Sequence, residues 1–170
     1  DQPRSRGLGD VYKRQNVMIE KIIQKVGDFC SWLSFALVIL ITLDVFLRYV
    51  FNFSSASLYE LEWHFFAIIF LLGSSITLQK DEHVRVDVFY SKFSEKKKQI
   101  INLLGNVFFL LPFSLVIFYT SLPFVEDSLS ILESSPDPGG LPYRFIIKSI
   151  IPISFLLLAL QGVINILKNL

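Results

Sequence analysis

The chain is predicted to be an all-α integral membrane protein, with four transmembrane helices, an amphipathic interfacial helix ahead of them, and both termini cytoplasmic. Three observations predict this. Of its 170 residues 52% are apolar and only 18% charged, against about 25% charged in an ordinary soluble domain. The apolar residues fall in four long blocks, not in a repeating polar and apolar pattern. Lys and Arg collect on alternate connecting segments, as the positive-inside rule requires of a multi-pass protein.

A helix crosses about 30 Å of hydrocarbon with roughly 20 apolar residues. Four blocks approach that length, at about residues 29–53, 61–78, 100–125 and 145–167. Barrel strands are disfavoured because they would alternate over about ten residues. Residues 1–15 carry charges, glycines and a proline but no apolar core of a signal peptide, and are read as a disordered or non-native extension. From 16 to 170 the chain reads as a single domain. Its first part, Asn16 to Asp28, sets Val17, Ile19, Ile22, Ile23 and Val26 apart from Glu20, Lys21, Gln24 and Lys25, the pattern of a helix at the membrane interface running into the first span.

Basic residues before the first span and across 80–98 place those segments in the cytoplasm. Residues 54–60 have no Lys or Arg, and 126–143 carry Glu126, Asp127, Glu133 and Asp137 with no base before Arg144, so both face outward. Pro112 and Pro152 should kink the third and fourth spans. Gly73 with Ser74 and Thr77, and Gly105 with Asn106, make small-residue faces suited to close helix contact.

Composition excludes several functions. A net charge of +1 leaves no basic surplus for nucleic acid. One cysteine and two histidines cannot build a zinc finger or a three-histidine metal site. His64 could ligate haem only with a second histidine at matching depth, and His83 lies in the cytoplasmic loop. No nucleophile motif stands beside either histidine. No cofactor, metal or catalytic residue is therefore expected.

The residues that remain suggest contact. Asp44 and Arg48, four apart in the first span, share a helix face. An intramembrane acid is by default a functional candidate, here for a proton or ion relay. The competing reading is an ion pair that satisfies itself, and the adjacent guanidinium favours it by keeping the acid ionised. Glu60, Glu62, Trp63 and His64 gather where the chain turns back into the membrane from outside, with Tyr59 and Trp63 suited to the aromatic belt. In the cytoplasmic loop Val84, Val86 and Val88 alternate with Arg85 and Asp87, as in a segment pressed on a surface. Lys96 to Lys98 read as a topology signal and an anchor for membrane lipid. The segment 134–142 packs three prolines and two glycines into an outward loop, either a rigid docking surface or a simple connector.

Arg48-Tyr49, the stretch Glu60 to Trp63, Leu72-Gly73 and His83 to Asp87 together make the chain resemble the DctQ-like family, the small membrane subunit of tripartite ATP-independent periplasmic (TRAP) transporters, over residues 29–167. The stretch Ser135 to Arg144, with Lys148, Pro152 and Leu160-Gln161-Gly162, is similar to the branch named for mannitol or chloroaromatic compounds. The resemblance implies a non-catalytic four-helix subunit of the bacterial inner membrane. Its partners would be a large permease subunit, which carries the sodium sites and moves an organic acid or similar small solute, and a periplasmic substrate-binding protein. Carried onto this chain, it implies a partner interface of Asp44, Arg48, Tyr49, Glu60, Glu62, Trp63, Gly73 and Arg144, with His83, Arg85 and Asp87 bracing the cytoplasmic side. The alternative is a self-sufficient, homodimeric proton-coupled transporter using Asp44. Against it stand the neighbouring Arg48, the long loops, and the lack of a duplicated broken-helix ion site.

Overall fold

A computed structural model describes residues 4–82, 90 and 92–169, with side chains described over 16–82, 90 and 92–168. The elements are α1 (Arg4–Phe51), α2 (Ala56–Gln79), α3 (Glu95–Gly105), a π-helical turn (Asn106–Leu110), α4 (Leu111–Ser130) and α5 (Phe145–Asn169). The third span is α3, the π turn and α4 in continuous succession. Four helices, Asn16–Phe51, Ala56–Gln79, Glu95–Ser130 and Phe145–Lys168, are long and apolar enough to cross a membrane.

Turn chemistry ends the helices. Asn52, Asp81 and Leu132 take positive φ, at 50°, 58° and 47°, a backbone state that stops an α-helix. After α2 the Asp81 N–H donates to Leu78 O and the Glu82 N–H to Thr77 O, 3.3 and 3.0 Å. After α4, Leu132 and Glu133 repeat those bonds onto Leu129 and Ser128, 3.1 and 3.0 Å. Both are Schellman closures built without glycine.

The amphipathic segment 16–28 lies within α1 and runs without a break into the first span. Asn16–Phe51 spans 36 residues, about 54 Å at 1.5 Å each, so its first turns reach beyond a hydrocarbon core of about 30 Å. Those turns are held by side chains: Ile23 is fully buried, Gln79 Nε2 donates to Glu20 O at 3.1 Å, and Lys168 pairs with the Glu20 carboxylate. A Cβ added at Gly27 would stand 2.9 Å from Ile76 Cγ1, so this glycine is where α1 and α2 approach most closely.

The helices form an open row, not a closed ring. α1 packs on α2, α2 on α5, and α5 on α4, while α1 and α4 make no substantial contact among the described residues. The last span is accordingly the most buried, at 33% of its most apolar stretch against 6% for the third. Lipid offers no hydrophobic force between helices, so small and polar residues that allow close approach carry the packing. Ser114, Ser121 and Ser128 recur every seventh residue and are buried, and α5 answers with Ile147, Ser154 and Gln161 at the same interval. A seven-residue repeat keeps a seam facing its partner along a slightly supercoiled pair. Ser121 and Ser154 bond back to Phe118 O and Ile151 O at 2.8 Å each, which removes most of the cost of burying a hydroxyl. Phe113 meets Phe155 edge-on at 5.7 Å.

The seam ends at the π turn. Pro112 has no N–H, and its ring crowds the carbonyl of Phe108 four residues back; widening that turn relieves the clash. The widened turn presses Leu110 onto α5, where a Cβ added at Gly162 would lie 2.4 Å from Leu110 Cδ2. Gly162→Ala is therefore expected to cost about 1–2 kcal/mol of stability through overpacking. Gly73, whose added Cβ would meet nothing within 4 Å, serves as control: Gly73→Ala should be neutral or raise stability by up to about 1 kcal/mol through helix propensity. Thermal unfolding in mild detergent checks both, and equal shifts for the two variants would show that the Leu110 contact is not tight. The small-residue faces expected at Gly73 and Gly105 are thus not used for packing within the chain, since Gly105 also opens onto empty space; the close approaches fall at Gly27 and Gly162.

Candidate functional site

Two polar clusters lie at the end of the row where α1 stops, α2 starts and the 131–144 loop joins α4 to α5. In the first, the Arg48 guanidinium donates to the Asp44 carboxylate one turn earlier on α1. The Asp44 side chain is 3% exposed and that of Arg48 49%, so the pair is buried at its acidic end and open at its basic end. Glu62 on α2 lies within electrostatic reach of both, and its Oε1 is buried with no hydrogen-bond partner. Two carboxylates thus share one guanidinium. Tyr49 beside them is 80% exposed, and Trp63, 36% exposed, lies against the His64 ring at 3.9 Å with the planes tilted by 36°. Together they leave an aromatic and charged surface exposed.

The second cluster is closed. Glu60, 2% exposed, accepts from the Ser135 hydroxyl, from the Leu141 N–H at 2.6 Å and from Arg144 at 3.4 Å. The loop is shaped to deliver those donors. Ser135 N–H donates to Leu141 O at 3.0 Å and Gly140 N–H to Asp137 O at 2.9 Å, drawing both ends of Pro136 to Pro142 together, while Gly139 takes φ 78°, a conformation glycine adopts without penalty. Gly140 leaves the room: a Cβ there would stand 2.5 Å from Ser135 Cβ and 2.9 Å from Glu60 Oε2. Ser57 adds a hydrogen bond to the Gly139 carbonyl. The 134–142 segment is therefore a lid latched to α2 through the Glu60 carboxylate, with the Ser57 hydroxyl as a second tie.

Glu60 and Arg144 were expected at a partner surface for want of a partner inside the chain; the structure supplies each with the other, because the loop folds back over the start of α2. Asp44 pairs with Arg48, as the ion-pair reading anticipates. The His64 Nδ1 meets the Glu60 carbonyl on its own helix. His83, Arg85 and Asp87 lie outside the described residues. Among the described residues no group of three or more His, Cys, Asp or Glu is placed to hold a metal. Sequence reasoning missed the roles of Ser135 and Gly140; the signal available was the Pro-Asp-Pro-Gly-Gly run, whose stiffness is useful only if something holds the loop in one place.

Beside the latch, Lys148 on α5 pairs with Glu133 and lies over the Phe124 ring at 4.1 Å. The hydrogen bond from the Lys148 ammonium holds the Glu133 carboxyl below the usual carboxylate range, outweighing the opposite pull of burial. A depressed folded-state value means that the pair's stabilisation is fully present above the unfolded value of about 4.3 and is lost as pH falls through the folded value. The melting temperature of wild type should accordingly exceed that of Glu133→Gln by a constant margin above about pH 6, with the margin shrinking as pH falls past the unfolded value of about 4.3 and lost once the lower folded value is passed. Melting curves of both proteins between pH 3 and pH 7 test this, and a margin independent of pH would refute it.

No curated protein matches the chain. The family model described as "DctQ: Tripartite ATP-independent periplasmic transporters, DctQ component" matches residues 37–170, from the middle of α1 through all of α2 to α5; it speaks to the family as a whole and not to one branch. Four helices long and apolar enough to cross a membrane and a match over most of the length converge: the chain belongs to the DctQ family, the DctQ component of tripartite ATP-independent periplasmic transporters, and is a multi-pass membrane component of a transporter, not an enzyme.

Proposed function

We propose that this chain is the small subunit that widens the fixed scaffold of a large permease subunit in the bacterial inner membrane, for sodium-coupled uptake of an organic acid or similar small solute delivered by a periplasmic binding protein. The observation that carries this reading is the open row. A chain acting alone would be expected to enclose its polar groups among its own helices, whereas here α1 and α4 stand at opposite edges and the Asp44, Arg48 and Glu62 cluster opens outward beside exposed aromatic rings. Both termini and the Lys80 end face the cytoplasm, and the latched lid faces the periplasm, where Tyr49, Glu62 and Trp63 meet the large subunit or the binding protein. Glu60 and Arg144 act there indirectly by holding the lid. Asp44, already paired with Arg48, is a poor coupling acid, which weighs against a self-sufficient transporter.

The test is to tag the chain, co-express it with its native neighbours, extract it in mild detergent and identify what stays bound through size exclusion. Recovery of a stable pair with a much larger multi-span protein supports the reading. A homodimer alone would overturn it, and loss of uptake in Asp44→Asn would then favour proton coupling by this chain.

A further inference from the structure

The open row leaves several helix faces without a neighbour, and they differ in what they need. On α1 and α4 the exposed hydroxyls satisfy themselves: Ser31 donates to Gly27 O at 3.0 Å, Thr42 to Val38 O at 2.7 Å and Thr120 to Val116 O at 2.9 Å. Acyl chains cover such faces without loss. The groove of about 1020 Å³ between α2, α3 and α5 is closed on itself at its rim, where Lys168 pairs with Glu20 and Asn102 with Tyr90. The outer face of α2 is different.

Tyr59, Trp63, Phe66, Phe70, Gly73 and Thr77 follow one another at intervals of four, three, four, three and four residues, the spacing of a helix seam. Phe66 and Phe70 are 61% and 68% exposed, while the buried Leu72, Ser75 and Leu78 lie on the opposite side of the helix. From Tyr59 to Thr77 is about 27 Å, close to a full hydrocarbon thickness of about 30 Å. The seam is bulky in its outer half, and at Gly73 it opens a notch where an added Cβ would meet nothing within 4 Å.

Charge says what covers it. Glu62 stands one turn before Phe66, on the side of the seam nearest α1, within reach of Asp44 and Arg48. Arg48 is already the ion-pair partner of Asp44, so two acids and one base leave one negative charge over. Among the described residues Glu62 forms no ion pair or hydrogen bond. Its Oε1 is shut from the surface, but the side chain is only half-buried, and its other oxygen can be approached. Ionisable groups within a span are paired with one another or with a partner's, and acyl chains supply no cation.

We infer that the outer face of α2 is the surface on which a transmembrane helix of the large permease subunit lies, bringing a Lys or Arg to Glu62 and a bulky side chain to the Gly73 notch. The α4 edge then faces lipid. This rests on the reading of the chain as a permease subunit, and the test keeps the two apart.

The full chain is co-expressed with its native neighbours, carrying the photo-reactive p-benzoylphenylalanine in place of Phe70 or, on the α4 edge, of Tyr119. Membranes are irradiated and the tagged chain is purified. Position 70 should cross-link to the large subunit and position 119 should not. Glu62→Gln should retain about threefold less large subunit and Glu62→Lys about tenfold less, the latter equivalent to about 1.4 kcal/mol. The Glu62→Gln chain alone should melt no lower than wild type, since it loses no bond within the chain; a merely structural role would lower stability and retention together. Failure of wild type to bring down a large multi-span protein would overturn the subunit reading and this inference with it. With that protein bound, cross-links from position 119 in place of 70, adducts of position 70 with a second copy of this chain or with lipid alone, or unchanged retention in both Glu62 variants would overturn this inference only.

Discussion

Glu60→Ala is expected to release the 131–144 lid and to destabilise the chain by about 3 kcal/mol. The carboxylate is 2% exposed and gathers the Ser135 hydroxyl, the Leu141 N–H and the Arg144 guanidinium; its removal strands three donors, one of them charged, at about 1–3 kcal/mol for each that water cannot reach. Glu60→Gln separates the contributions. The amide oxygen can still accept from Leu141, so this variant loses the attraction to Arg144 but keeps the lid's position, and about 1 kcal/mol is expected. Thermal unfolding in detergent reads the stability, and limited proteolysis within Pro136 to Tyr143 reads the lid: cleavage should accelerate in the alanine variant and stay near wild type in the glutamine variant. Identical proteolysis of all three would show that the carboxylate is not what holds the loop.

Arg48→Ala should be at least as damaging, at about 3 kcal/mol or more, and more damaging than Asp44→Ala. Among the described residues the guanidinium is the cation that the structure sets against Asp44 and Glu62. Its loss leaves a 3% exposed aspartate uncompensated beside a second acid, the situation in which breaking a buried pair costs about 3–5 kcal/mol. Loss of Asp44 leaves an arginine that is already 49% exposed and still has Glu62 nearby, so about 1–2 kcal/mol is expected. The double variant Asp44→Leu with Arg48→Leu removes both charges and should be less harmed than Arg48→Ala alone, the sign of coupling between the sites. Both single variants should also lower the yield of intact complex or uptake. Equal melting of the two single variants, with normal complex and uptake, would refute the asymmetry.

The membrane-spanning blocks were legible because hydrocarbon thickness sets a length that apolar runs must meet, and the Asp44 to Arg48 pair was legible because four residues is one helical turn. The lid latch was not: Glu60 and Leu141 lie in separate elements, and no local pattern says that an N–H in a proline-rich loop will meet a carboxylate on α2. The serine seam was within reach, since Ser114, Ser121 and Ser128 repeat every seventh residue, but serine in a membrane helix is common enough that the repeat acquires meaning only once α5 is seen against it. The tight glycines went the same way. Gly73 and Gly105 looked like contact points by composition, yet the close approaches fall at Gly27 and Gly162, because where two helices cross depends on the paths of both.

By itself the sequence determined the class of protein, the number and approximate limits of the spans and the location of the charged ends, all of which follow from what each segment loses or gains by leaving water. The tertiary structure alone decided that the helices stand in an open row, that Glu60 is closed under its own lid while Glu62 is not, and that a π turn before Pro112 parts α3 from its neighbours to leave a groove between α2, α3 and α5. Transfer free energy is additive along the chain and can be read from it residue by residue; packing in a membrane depends on the fit between surfaces that only folding brings together.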